Sequence, residues 1–121
     1  MLTKNDFCDY DTCVALKELG YDDSTDLRYN SYGSLGNFLG GIKAPSLYEA
    51  QKFLREAHNL HIEITYSPSC WTGKIYDLKK EGYIKGFTFF ESFEETLHTL
   101  IKEAVKILKE NGCGKNINTR Q

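Results

Sequence analysis

The stretch 44–66 constrains the fold most, because within it the hydrophobic period changes from near four to two. Pro45 disfavours helix immediately upstream, and Ser46 and Glu49 have the spacing of a capping box, in which each side chain accepts the other's backbone N–H. Leu47, Ala50, Phe53, Leu54 and Ala57 then recur as one apolar stripe, while Glu49, Lys52, Arg55 and Glu56 fall mostly elsewhere. Asn59 tolerates positive φ and is placed to stop the helix. Beyond it Leu60, Ile62, Ile64 and Tyr66 alternate with His61, Glu63 and Thr65, which predicts a strand with one buried and one wet face.

Downstream, residues 67–70 read as a turn, 71–78 as a second strand, 79–82 as a turn and 83–90 as a third strand. Turns this short imply an antiparallel meander. Ser92 and Glu95 form a second capping box, and Phe93, Leu97, Leu100, Ile101, Ala104 and Leu108 form a long stripe that ends at Gly112. Upstream, Asp9 is placed to cap a short helix through Leu19, with Gly20 ending it and Tyr21 folding back on Leu16. Residues 22–43 carry Gly33, Gly36, Gly40 and Gly41, which is loop chemistry, with Tyr29, Tyr32, Leu35, Phe38 and Leu39 as apolar anchors and 27–32 as a short edge strand. These glycines lack the Gly-Lys-Ser/Thr ending of a phosphate-binding loop. The expected fold is α+β: an α-β-β-β-α core, with a three-stranded antiparallel meander and two helices on one face, preceded by a short N-terminal helix and a Gly-rich loop. A single domain over 1–112 and a flexible tail over 113–121 complete the expectation.

At 121 residues and 40% hydrophobic content the chain can bury one core. A formal net charge of -2 supplies no global attraction to nucleic acid or to an anionic membrane, so either would need a local patch. No apolar run approaches the ~20 residues that span a bilayer. The N-terminal residues lack a signal-peptide apolar region, so the expected location is the cytoplasm, away from membranes, with the four cysteines as reduced thiols.

Candidate chemistry is sparse. His61 and Glu63 share the wet face of the first strand and have the residue types of a general base and its acidic orienter. His58, His61 and Glu63 are metal-ligand types, but they straddle a change of backbone direction and no Cys-x-x-Cys completes them, so no metal or other cofactor is expected. Ser69-Cys70-Trp71 is similar to the sequence around a papain-type nucleophile, yet Cys70 follows Pro68 in a hairpin rather than opening a helix. Lys74, Lys79, Lys80 and Lys85 form the basic cluster, a candidate nucleic-acid contact or else solvated lysines that discourage sheet aggregation. Tyr76, Tyr83, Phe87 and Phe89, with Phe90, crowd the second and third strands beyond what two modest helices can cover. Exposed rings on a sheet suit a protein partner or a homodimer.

Three groups of residues carry a wider resemblance: Leu16-Lys17-Glu18-Leu19-Gly20-Tyr21; Ala44-Pro45-Ser46-Leu47 with Ala50, Phe53-Leu54-Arg55-Glu56 and His58; and Phe93-Glu94-Glu95. In these the chain resembles a group of small uncharacterised proteins of bacterial chromosomes and prophages, which implies a phage or mobile-element origin. The order helix, three strands, helix also resembles the double-stranded-RNA-binding domain, a topology shared with small toxin ribonucleases. That mode of RNA binding requires lysines where the last helix here opens with Glu91, Glu94 and Glu95. The expectation is therefore a non-enzymatic accessory protein acting by protein contact or self-association. The alternative is a nucleic-acid-binding domain or small ribonuclease.

Overall fold

Asn59 makes the switch from helix to strand at φ 60°. It joins α2 (Leu47–His58) to β4 (Leu60–Ser67) with no intervening loop. The structure is a computed structural model that describes residues 6–23 and 25–111, apart from the side chains of Ser67 and Phe89. The expected stop at Gly112 and the tail 113–121 lie outside the described residues. In chain order the elements are α1 (Tyr10–Glu18), β1 (Arg28–Tyr29), β2 (Leu35–Gly36), β3 (Ile42–Lys43), α2, β4, β5 (Cys70–Asp77), β6 (Gly82–Phe90) and α3 (Phe93–Glu110). Among the described residues the fold is α+β, with three helices and two three-stranded antiparallel sheets. No described helix is long and apolar enough to cross a membrane. Contacts divide the chain into two compact units: Leu47–Ala104, and the described residues up to Ser46 together with those from Val105.

Within Leu47–Ala104, β5 is central in the order β4-β5-β6. Cross-strand partners share a face, so Ile62 with Ile75 and Ile64 with Gly73 mark the buried side of this sheet. At Gly73 α3 comes close to the sheet. A Cβ there would lie 2.5 Å from Leu100 Cδ2 and 2.9 Å from Thr96 Cγ2, so the helix rests on bare backbone. Ser92 Oγ accepts the Glu95 N–H at 3.0 Å and so caps α3 as its spacing predicts. Glu95, however, reaches the N–H of Glu91 at 3.1 Å instead of closing the box on Ser92. The β5 to β6 turn is held by Asp77, whose Oδ1 accepts the N–H groups of Lys79 and Lys80, with Glu81 at φ 55°.

In the other unit, Asp9 caps α1 through the Thr12 N–H at 2.9 Å. Gly20 at φ 105° ends the helix as expected, the Tyr21 N–H returns to the Leu16 carbonyl at 2.9 Å, and the Tyr21 and Leu16 side chains are both buried. Residues 22–43 depart from the loop expectation, for they build the sheet β2-β1-β3. β1 lies at its centre rather than at an edge. Asn30 makes this sheet possible, since its Oδ1 accepts the Tyr32 and Ser34 N–H groups and tightens the β1 to β2 turn. Of the expected apolar anchors only Tyr29 is buried; Tyr32 and Leu39 are almost fully exposed, because the turns that carry them project from two-residue strands. Gly41 is obligatory: at φ 95° a Cβ would lie 2.2 Å from the Tyr29 carbonyl oxygen.

The Tyr29 hydroxyl donates to the Cys8 carbonyl at 2.8 Å, and its ring meets Tyr10 edge-on. Burial, with smaller contributions from Cys13, Asp9 and Cys8, pushes its pKa up to about 12. The folded chain thus holds a proton that the unfolded chain releases near pH 10, so stability is intact below that pH and falls as pH rises toward 12, by at most about 1.4 kcal/mol per unit. Tyr29→Phe is expected to cost about 1 kcal/mol at neutral pH and to flatten that alkaline slope, as measured by urea unfolding from neutral to strongly alkaline pH. An unchanged slope would show that Tyr29 is not the group responsible.

Candidate functional site: the open face of the β4–β6 sheet

The face of β4-β5-β6 that turns away from α3 presents its side chains in rows across the strands. His61, Tyr76 and Tyr83 are register partners in one row; Glu63, Lys74 and Gly86 form the next. Thr65 and Thr72 pair beyond them, and Thr72 Oγ1 lies 3.0 Å from Thr88 Oγ1. The rings of the first row touch: His61 and Tyr76 centroids are 6.4 Å apart, and Tyr76 meets Tyr83 edge-on at 5.9 Å. Tyr83 is 60% exposed, while Glu63, Thr65, Lys74 and Thr88 are also open to solvent. Gly86 positions Tyr83. Its missing Cβ would lie 2.6 Å from the Tyr83 hydroxyl, so the ring lies along β6 over bare backbone.

This arrangement separates the catalytic candidates. The Tyr76 hydroxyl donates to Glu63 Oε1 at 3.3 Å, so Glu63 orients a tyrosine. Cys70 is six residues from Tyr76 along β5, roughly 20 Å from the His61 row, too far for a nucleophile and base. Its Sγ lies 3.7 Å from the Thr88 hydroxyl. His58 packs edge-on against Phe53 at 5.2 Å, at the end of α2. Among the described residues no three His, Cys, Asp or Glu side chains converge to hold a metal ion.

The four lysines also lie apart. Lys74 is on the open face, and Lys79 and Lys80 are on the turn after β5. Lys85 is on the α3 side, where it pairs with Glu103 and lies 5.9 Å above the Phe87 ring. Of the aromatic candidates, Tyr76 and Tyr83 are on the open face, whereas Phe87 opposes Gly73 on the α3 side; the Phe89 side chain is outside the description. Trp71 bridges Tyr66 and Phe93 on the α3 side as well. Thr65, Thr72 and Thr88 had no separate signal in the sequence. Alternation places each on a face, but only the register makes them neighbours.

The two sheet edges are poorer surfaces than the face. β6 carries two register shifts against β5, and bulged edges resist further strand pairing. On β4, the Gln51 side-chain amide donates to the Ile62 carbonyl at 2.9 Å. Antiparallel alternation aims that carbonyl away from β5, so α2 already occupies part of this edge.

Comparison with known protein families, with curated sequences and with solved structures returns no match for this chain.

Gly86→Ala is expected to displace the Tyr83 ring by rotating it into solvent, with a stability change below ~1 kcal/mol because the displaced atom ends a flexible side chain. Proton NMR checks this through loss of the Tyr76 to Tyr83 ring contacts at an unchanged urea midpoint. Retention of those contacts would show that Gly86 does not set the ring's position.

Proposed function

We propose that this chain is a non-enzymatic accessory protein that works by protein contact, and that the contact is self-association across the open face of the β4–β6 sheet. The aromatic row of His61, Tyr76 and Tyr83, in which Tyr83 is exposed and His61 and Tyr76 are half-buried, carries this reading. Tyrosine is enriched at protein interfaces because it combines a large apolar surface with a polar tip. The flanking rows support a second copy as the partner. Glu63 and Lys74 set one acid beside one base, and the hydroxyls of Thr65, Thr72 and Thr88 both donate and accept, which makes the patch self-complementary as a two-fold contact requires. We also read Leu47–Ala104 as the α-β-β-β-α core with both helices on the face opposite this row. The close approach of Thr96 and Leu100 to Gly73 and the bond from Gln51 to Ile62 support that placement.

Nucleic-acid binding is the second reading, favoured only by Lys74 beside the aromatic row. Stacked bases would suit Tyr76 and Tyr83, but Glu63 stands in the same row as Lys74, and Lys85 is engaged with Glu103 on the other side.

Sedimentation equilibrium of the full chain is expected to show concentration-dependent dimerisation, weakened ~10-fold or more by Tyr83→Ser with folding intact. A chain that remains monomeric at all concentrations would overturn self-association. Salt-dependent mass gain with mixed RNA, lost on Lys74→Glu, would put the nucleic-acid reading in its place.

A further inference from the structure

The small sheet β2-β1-β3 carries an arrangement that the open face does not use. Arg28 on β1 and Lys43 on β3 are direct register partners, so two cations stand on one face of adjacent strands. Like charges so placed destabilise a sheet unless something offsets them. The third residue of that row is Gly36, which adds no counter-charge. Lys43 is offset by Asp22, through the carboxylate at 3.0 Å and the backbone carbonyl at 2.8 Å. Arg28 makes no ion pair with an acid among the described residues.

These side chains line a cleft of about 220 Å³, together with Lys17 from α1, Tyr21 and Gly41. Three cations and one carboxylate give the lining a net charge of +2. The volume is below the ~300–1,000 Å³ typical of clefts for drug-sized ligands, so the site suits a small ion or the end group of a larger molecule.

We infer that this cleft is a binding site for a phosphoryl group, carried by a small phosphate ester or diphosphate. A phosphate monoester at neutral pH carries about -1.5 to -2 charges, which matches the lining, whereas a single carboxylate neutralises half of it. Arg28 supplies a planar fork that matches two phosphate oxygens, and Lys17 and Lys43 supply point charges. The anion offsets the Arg28 and Lys43 repulsion, so binding and stability of this sheet are coupled. The site differs from a phosphate-binding loop, for its charge comes from side chains of α1, β1 and β3 rather than from backbone N–H groups in a glycine run.

The test is calorimetric titration of the full chain with pyrophosphate, inorganic phosphate and acetate at low ionic strength. Pyrophosphate is expected to bind, phosphate more weakly, and acetate at least ~10-fold more weakly than pyrophosphate. Lys17→Gln and Arg28→Gln are each expected to weaken pyrophosphate ~10-fold; Lys17 is exposed on α1, so that variant tests the site without risk to folding. Asp22→Asn is expected to tighten binding about three-fold or more, whereas Glu94→Gln, the same charge change at an exposed residue outside the lining, leaves it unchanged. No heat with pyrophosphate, equal affinity for acetate, or equal tightening by Asp22→Asn and Glu94→Gln would overturn the inference.

Discussion

The contact of α3 with the bare backbone of Gly73 determines what the larger sheet can present. A glycine at the centre of β5 weakens the strand, but here it lets Thr96 and Leu100 approach within distances no side chain would permit. With α3 seated on that face, Ile62 and Ile75 are covered and the period-two alternation sends His61, Lys74 and Tyr76 to the other. The open face is therefore a consequence of how the core is packed. Its exposure needs no separate device.

The same face shows how neighbouring groups redirect chemistry. Glu63 has the position expected of a carboxylate that orients His61, yet its hydrogen bond goes to Tyr76. That bond holds the central ring of the aromatic row, while Gly86 lets the outer ring lie flat along β6. Residues whose types alone suggest catalysis or charge become, in register, neighbours in rows on one face of the sheet. Lys85 makes the same point from the other side, since its charge is engaged by Glu103 on α3.

Much of this was legible in the sequence where a local rule dominated. The change of period at Asn59, the caps at Asp9 and Ser92, and the stop at Gly20 each rest on a few adjacent residues, and each is present. The sheet in residues 22–43 was not legible, because strands of two residues have no period and are set by pairing partners far along the chain. Tyr32 and Leu39 misled for a related reason: apolar type signals burial only when the backbone points it inward. The bulges of β6 left Lys85 and Lys74 on different faces, which no spacing along the sequence reveals. Lys17, Arg28 and Lys43 are likewise scattered in sequence and meet only through the pairing of β1 with β3 and the packing of α1.

The central claim is that contact occurs through the open face of β4-β5-β6. The most direct measurement is the concentration dependence of backbone and aromatic NMR signals of the full chain. Shifts on concentration should be confined to the rows of His61, Tyr76 and Tyr83 and of Thr65, Thr72 and Thr88, with α3 unaffected. Signals of that face that stay constant while those of α3 or the β6 edge move would contradict the account.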